Sequence, residues 1–476
     1  MLPWVRLPNQ PESMQRILAI AWLTWKAALR FRLFLVIAAL LVLAVVGLPL
    51  VIKDDGTARG FTQIILTYTL SAITALLGLS TLWLSCGTLA RDIEECQIQV
   101  VATKPIARWQ IWMGKWLGLV SLNAALLAIS GGCVFGMLQW RAASLPPAEQ
   151  KILREEVLVA RGSVKPKNYD AEIDTQTEQF LQSRLKSNPE LARSADLPEV
   201  RQQIREQVKA DFQLVPPGYP KEWQVDLGFA KDYLHDKPLQ LRVKFNAANQ
   251  TLNGTYVLAW QVGDASSTNY VELPPMSLAQ DTFHEFSIPA NLYDKNGVMT
   301  IVVANPNNAA LLFPLEDGLE VLYPESTFGV NFVRGLAIIF FWLTLMAAIG
   351  LMAASFLSFP VATFFSLALL TVVLSSGTLS DAVDSGTVAA GNEEKGIVGH
   401  SVADVVLIPA FKGILSVVEL VKNFSPIDAL STGRSVSWTE LGTAFVQIVL
   451  VLGGIFALFG IVCFNRRELA TAQGTQ

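Results

Sequence analysis

The polar side chains most able to do chemistry lie in one short run between two long apolar stretches. The run carries three carboxylates and two amides: Asp92, Glu94, Glu95, Gln97 and Gln99. Catalytic and metal sites combine carboxylates with histidine, cysteine or other convergent groups. The three histidines lie far apart without metal-ligand spacing, and the sequence has no Ser/His/Asp or Cys/His set. We therefore expect no bond chemistry, cofactor or metal at these side chains.

The polar run is predicted to form a short loop helix over 91–104. Its three carboxylates would occupy the first turn, where negative charge complements the helix dipole. Pro105 would end the helix, because proline cannot continue it. Ile93, Ile98 and Val101 give the helix an apolar side. Apolar side chains on an exposed loop need something to cover them, which indicates a partner protein.

The composition indicates a membrane protein. The chain has 476 residues, of which 52% are hydrophobic and only 16% charged, and its mean hydropathy is +0.41. That apolar excess fits several membrane spans rather than one soluble core. The net charge of −4 gives no electrostatic footprint for nucleic acid. The stretch Met1–Arg32 is too polar for a cleavable signal peptide.

Six apolar segments are predicted to cross the membrane as helices: Leu33–Ile52, Phe61–Leu89, Trp112–Gln139, Phe328–Leu357, Val361–Leu379 and Leu441–Phe464. A helix of about 20 residues spans the roughly 30 Å hydrocarbon core of a bilayer. Before the first segment, Met14–Arg32 is predicted to be an amphipathic helix at the level of the lipid headgroups. Its cationic residues and tryptophans accompany one apolar face, which is typical of such helices.

Positive residues near span ends favour the cytoplasm and therefore set the orientation. They occur in three groups, at Arg30 and Arg32, between Arg91 and Lys115, and at Arg466 and Arg467. All three groups are cytoplasmic only if the number of spans is even and both termini are inside. Within the apolar stretch 401–422, the part Val402–Val421 carries three charged residues, Asp404, Lys412 and Glu419, which are costly at mid-membrane. It is therefore predicted to be a re-entrant or surface-lying helix on the outer side.

Residues 141–324 are predicted to form a separate extracytoplasmic domain between the membrane parts 1–140 and 325–476. Its first part, 145–215, is charged and has helical periodicity. From 222 to 324 the apolar period changes to two, and turn signals separate seven short runs. This pattern predicts a β-sandwich, with a weak likeness to a jelly roll. The expected fold is therefore an α-helical polytopic membrane protein of six transmembrane helices with an inserted α+β domain.

Three aromatic residues of this domain have two interpretations. Trp223, Tyr256 and Trp260 could stack on sugar rings in a carbohydrate-binding sandwich. Tyr256 and Trp260, however, are in phase with apolar neighbours on the same strand, which favours packing in the core.

The polar run and its surroundings resemble the cytoplasmic loop between the second and third spans of ABC-2 type transporter permeases. The resemblance rests on Arg91-Asp-Ile-Glu94, Gln97-Ile-Gln99, Lys104-Pro105 and Gly114-Lys115, together with the predicted spans. The likeness covers Met14–Trp140 and Phe328–Arg467 and leaves out the inserted domain. Cys96 departs from the pattern, because the family usually has a small residue after the acidic pair.

The resemblance implies a role and partners for this chain. The residues of the coupling helix, which docks into a groove of the ATP-binding cassette ATPase subunit, would be Asp92, Glu94, Glu95, Gln97 and Gln99. The sequence has no Gly-x-x-x-x-Gly-Lys-Ser/Thr phosphate loop, so the ATPase would be a separate polypeptide. Two permease chains, alike or different, would pair with two ATPase chains in a bacterial cytoplasmic membrane.

Two other functions remain open from the sequence. The first is a membrane-anchored module whose outer domain binds a glycan or an envelope protein without any transport. The second is a membrane enzyme, which is disfavoured because no convergent catalytic set appears. An associated ATPase would separate transport from the binding-module hypothesis.

Overall fold

The structure is a computed structural model that describes residues 12–30, 32–51, 57–97, 106–153, 157–188, 197–228, 233–249, 254–263, 270–385, 404–422 and 424–467. It divides into two compact units. The helical unit comprises 1–160 and 326–476, and the β unit is Arg161–Glu325. The observed boundary at 160/161 differs from the predicted one at 140/141. The helix of the third predicted span continues to Ala142, and the segment after that helix also belongs to the helical unit.

The helices of the helical unit are α1 Glu12–Arg30, α2 Arg32–Val42, a π-helical segment Leu43–Gly47, α3 Leu48–Val51, α4 Ala58–Glu94, α5 Arg108–Ala142 and α6 Pro147–Ile152. After the β unit follow α9 Phe328–Ala354, α10 Phe359–Leu374, α11 Ser376–Ser385, α12 Asp404–Lys422, α13 Pro426–Ser431, α14 Trp438–Ala444, a π-helical segment Phe445–Leu452 and α15 Gly453–Arg466. The β unit contains α7 Asp170–Ser187 and α8 Leu197–Gln213.

Four described helical stretches are long and apolar enough to cross a membrane: Gly60–Glu94, Arg108–Ala142, Phe328–Ala354 and Trp438–Arg466. Two further apolar helices, Val36–Val51 and Phe359–Leu374, are shorter. These six coincide with the six predicted segments, and four of them combine the length and the hydropathy of a membrane span. Helix α12, which covers most of 401–422, is not among the four, and a proline, Pro409, lies inside it.

Helix α1 buries the face that the sequence marks as apolar, and it does so against α5. Two glycines of α5, four residues apart, let the two backbones approach. A Cβ at Gly114 would lie 2.7 Å from the Ile20 side chain, and one at Gly118 would lie 2.8 Å from the Ala21 carbonyl oxygen. Farther along the two helices, the indole N–H of Trp25 donates a hydrogen bond of 2.8 Å to the Ser121 hydroxyl. Small residues at such a crossing are typical of helix pairs in membranes.

The strands of the β unit are β1 Val159–Val164, β2 Leu214–Val215, β3 Pro220–Asp226, β4 Leu239–Val243, β5 Asn246–Ala247, β6 Thr255–Gly263, β7 Tyr270–Ala279, β8 His284–Ile288, β9 Val298–Ala304, β10 Leu311–Leu312 and β11 Leu319–Thr327. They form a four-stranded sheet β1-β11-β4-β8, a four-stranded sheet β3-β9-β6-β7 and a small sheet β2-β10-β5. Strand β4 pairs antiparallel with β11 and β8. Strand β9 pairs antiparallel with β3 and β6, and β6 also pairs antiparallel with β7.

All seven predicted strands are present, and the two four-stranded sheets share one core. Trp260 and Val262 of one sheet and Leu241 and Val321 of the other are buried together in it. The part 145–215, predicted to be helical, contains helices but also the strands β1 and β2, and β1 joins the sheet beside β11. The partner strand is distant in the sequence, so no local pattern shows the pairing.

A group of charged residues lies on the sheet face opposite this core. Arg242 points away from the core because its neighbours on β4 point into it. Its guanidinium lies 3.2 Å from Glu320, and Arg161 lies 2.8 Å from Glu285. All four side chains are at least nine-tenths buried. Buried charges require such partners, because an isolated one would lose its hydration without compensation.

We predict that Gly118→Val destabilises the helical unit by about 1–3 kcal/mol, since the added side chain would meet the α1 backbone. Gly132→Val on the same helix is the matched control, because a Cβ there meets nothing within 4 Å. Thermal unfolding of the detergent-purified protein measures both. Equal midpoints for the two variants would contradict the α1–α5 packing.

Candidate functional site

The acidic run lies at the end of a long helix and not at the start of a new one. Helix α4 continues through Arg91 to Glu94, and Glu95 is its C-cap. The prediction of a helix that begins at 91 is therefore wrong, and the carboxylates lie near the negative end of a helix dipole. The physical reason is that no proline interrupts α4 and that Leu89 and Ala90, directly before Arg91, pack fully buried, so the helix continues past residue 91.

A residue in the left-handed conformation directly follows the end of this helix. Cys96 has a φ of 57°, the left-handed conformation that often ends helices. Glu94, Glu95 and Gln97 are exposed, and the Gln97 amide donates a hydrogen bond of 2.6 Å to the Glu95 carboxylate. Gln99 lies outside the described residues, as does the rest of the predicted helix from 98 to 104. Of the predicted recognition residues that the structure describes, Asp92 alone is half-buried.

Asp92 forms an ion pair with Lys115 of helix α5. The Lys115 ammonium of α5 lies 2.5 Å from the Asp92 carboxylate and also donates to the Thr88 carbonyl at 2.6 Å. The Lys115 side chain is only 8% exposed, whereas Asp92 is 34% exposed. A buried ammonium needs a counter-charge, so Asp92 ties α5 to α4.

Glu94 connects α4 to the helix that follows α9. Its carboxylate accepts a hydrogen bond of 2.7 Å from the Phe359 backbone N–H, which lies in the first turn of α10. The first N–H groups of a helix have no intrahelical partner, and a carboxylate is a favourable acceptor for them. The Arg91 guanidinium lies 4.3 Å from the centre of the Phe359 ring, a cation–π contact across the same pair of helices.

Two arginines complete the same end of the helical unit. Arg108, the first residue of α5, donates to the carbonyls of Phe464 and Asn465 at 3.0 and 2.8 Å. Arg467 donates to the Ala354 carbonyl at 3.2 Å, at the end of α9. Each arginine therefore satisfies the last carbonyls of a neighbouring helix.

We call this group the charged end of the bundle; it comprises Arg91, Asp92, Glu94, Arg108, Lys115 and Arg467. Side chains there connect the ends of α4, α5, α9, α10 and α15 to one another. The arrangement holds helix ends in a fixed relation and presents Glu95 and Gln97 beside them. Within the described ranges, no three or more His, Cys, Asp or Glu side chains gather to hold a metal.

The sequence did not predict a polar pair that lies inside the helical unit. Asn123 of α5 is 5% exposed, and its amide oxygen lies 3.1 Å from the Thr81 hydroxyl of α4. The same hydroxyl lies 2.6 Å from the Leu77 carbonyl oxygen. Because a hydroxyl carries a single proton, it can donate that proton to only one of these two acceptors at a time. The signal that could have revealed the pair is the recurrence of Ser and Thr at helical spacing along α4.

The aromatic residues proposed for sugar stacking lie in the core of the β unit. Trp223, Tyr256 and Trp260 are 4%, 0% and 2% exposed. The core interpretation is therefore confirmed, and these three ring faces are not open to a sugar.

Comparisons of the chain with protein-family models, with curated proteins and with solved structures find no match.

We predict that Asp92→Asn destabilises the protein by about 2–4 kcal/mol, because the buried Lys115 ammonium loses its counter-charge. The double variant Asp92→Asn/Lys115→Met is expected to recover part of this loss, since no uncompensated charge remains. Chemical or thermal unfolding in detergent measures both.

Glu95→Gln serves as the control for this pair, because the exposed Glu95 carboxylate accepts a hydrogen bond from Gln97 and forms no ion pair with any residue that the structure describes. An unfolding midpoint for Asp92→Asn equal to that of Glu95→Gln would show that the ion pair does not hold α4 and α5 together.

Proposed function

We propose that this chain is the permease subunit of an ABC-2 type transporter in a bacterial cytoplasmic membrane. Its energy would come from a separate ATP-binding cassette ATPase, and the chain itself would catalyse no bond chemistry. The charged end would face the cytoplasm, with Glu95 and Gln97 as the side chains that meet the ATPase. Asp92 and Glu94 would transmit the effect of this contact, because they connect the end of α4 to α5 and α10.

The observation that carries this proposal is the set of connections at the charged end. A force applied at Glu95 acts at the C-terminus of α4, which Asp92 connects to α5 and Glu94 connects to α10. Because Arg108 and Arg467 extend the connections to α15 and α9, one docking site could move several helices together. Rigid elements joined in this way are what a conformational transport mechanism requires.

The helix lengths support six crossings. Helix α2, the π-helical segment and α3 have 11, 5 and 4 residues without a break, together 20. At about 1.5 Å per residue they reach roughly 30 Å, the thickness of a bilayer core. Helix α10 has 16 residues, and α11 resumes after Ser375. Counted with the four long stretches, these two complete the predicted topology with both termini inside.

In this topology the β unit lies outside the cytoplasmic membrane as a jelly-roll-like sandwich. Helix α12 would be re-entrant or lie on the outer surface, in keeping with its exposed Lys412 and Glu419. A dimer of permease chains, alike or different, would bring two charged ends to two ATPase subunits. The cargo and the direction of transport are left open by this proposal.

Affinity purification from gently solubilised native membranes tests the proposal. We expect an ATP-binding cassette ATPase to co-purify with the wild-type chain, and Glu95→Lys/Gln97→Lys to reduce its recovery at least about tenfold, because like or misplaced charge disfavours docking. Glu419→Lys, an exposed charge reversal on α12, is the matched control.

Absence of any such ATPase from the wild-type preparation would contradict the transporter and favour the membrane-anchored binding module. Equal recovery with the double lysine variant would leave a transporter but remove Glu95 and Gln97 from its coupling surface.

A further inference from the structure

The β unit contains a cavity of about 360 Å³ between its two helices and its sheets. This volume lies in the range of about 300–1,000 Å³ that is usual for small-molecule sites. We call it the α7–α8 cavity. Its polar lining comes from the segment before α7 and the first residue of α7, from α8 and from the loop before β11: Lys165, Lys167, Asn168, Tyr169, Asp170, Arg205, Lys209 and Glu316.

The floor of the α7–α8 cavity is aromatic and rigid. Trp223 and Phe313 line it, and their ring centres lie 5.2 Å apart within the core of the unit. Tyr169 forms one wall, and it packs against Phe212 with a ring-centre distance of 5.4 Å. Because these rings are fixed by core packing, the apolar part of the cavity is formed before any ligand arrives.

Most charges around the cavity are already balanced by a protein partner. The Lys209 ammonium lies 2.8 Å from the Glu316 carboxylate, and Arg205 lies 3.1 Å from Asp174. The hydrogen bond from Lys209 lowers the pKa of Glu316, and the same bond raises the pKa of Lys209. Both groups therefore stay charged near neutral pH, as neighbouring donors and acceptors.

Three polar groups of the lining remain available to a ligand. Among the residues that the structure describes, the Lys165 ammonium, the Tyr169 hydroxyl and the Asp170 carboxylate have no hydrogen-bond or ion-pair partner. Burial raises the pKa of Tyr169, so its phenol keeps the proton that it can donate. The available groups thus comprise one cation, one anion and one hydroxyl, with no net charge.

We propose that the α7–α8 cavity binds a neutral sugar, such as the end of an uncharged glycan. A sugar carries several hydroxyls that both donate and accept, so different hydroxyls can accept from the Lys165 ammonium and donate to the Asp170 carboxylate, which line the same cavity. The C–H face of the ring can lie against an aromatic wall, whose face carries partial negative charge. The α7–α8 cavity offers both kinds of contact in one place.

Other small ligands fit this lining less well. The carboxylates of Asp170 and Glu316 would repel an anion. The cations Lys167, Arg205 and Lys209 of the lining already pair with Glu172, Asp174 and Glu316. A purely apolar ligand would strip water from these charges without replacing their hydrogen bonds. The inference does not depend on transport. It assigns the contact with the sugar ring to Tyr169, whereas Trp223, one of the three core rings considered from the sequence, only lines the floor.

The test uses the full chain in lipid nanodiscs and a panel of neutral hexoses, N-acetylhexosamines and their disaccharides. Glucuronic acid and glucose 6-phosphate serve as anionic counterparts. Ligand-observed NMR titration gives the dissociation constants. We expect at least one neutral sugar to bind more tightly than either anion.

Two pocket variants locate the binding. Tyr169→Phe keeps the packing on Phe212 and removes the hydroxyl, and Asp170→Asn removes the charge; each should weaken binding about tenfold, as expected for one hydrogen bond. Tyr219→Phe, at a 68% exposed tyrosine outside the cavity lining, should leave binding unchanged. The proposal is overturned if no neutral sugar binds, if only the anions bind, or if the pocket variants bind as the wild type does.

Discussion

Each helix leaves its first N–H groups and its last carbonyls without intrahelical partners, and this constraint organises the helical unit. In an apolar environment such groups cannot rely on water, so they must find partners within the protein. At the charged end the partners are side chains from other helices: Glu94 for α10, Arg108 for α15 and Arg467 for α9. The buried Lys115–Asp92 pair adds α5 to α4 in the same region.

This constraint gives the polar side chains of the charged end a structural role apart from any partner. The sequence predicts Asp92 and Glu94 as recognition residues, and the structure gives each an intramolecular contact. Glu95 and Gln97 are exposed beside them. A surface made of these two residues would be backed by a connected set of helix ends. In the proposed transporter, neighbouring residues would thereby divide the contact with the ATPase from the transmission of its movement.

Patterns that repeat locally predicted the elements well, whereas contacts between distant segments could not be predicted. Period-two alternation located strands such as Leu239–Val243, and apolar runs located the long helices. The strand Val159–Val164 was missed because it is completed by β11, far along the chain. Arg467 looked like an orientation signal, yet it also bonds to the end of α9. The α7–α8 cavity likewise arises only where helices and sheets meet.

The most direct test is the membrane side of the exposed Cys96, which directly follows Glu95. The experiment uses a chain in which Cys86, Cys133 and Cys463 are replaced by alanine, and a membrane-impermeant maleimide on vesicles of known orientation. The account predicts labelling of Cys96 only in inside-out vesicles, where the cytoplasmic face is outside. Labelling only in right-side-out vesicles would place the charged end away from any cytoplasmic ATPase and would contradict the account.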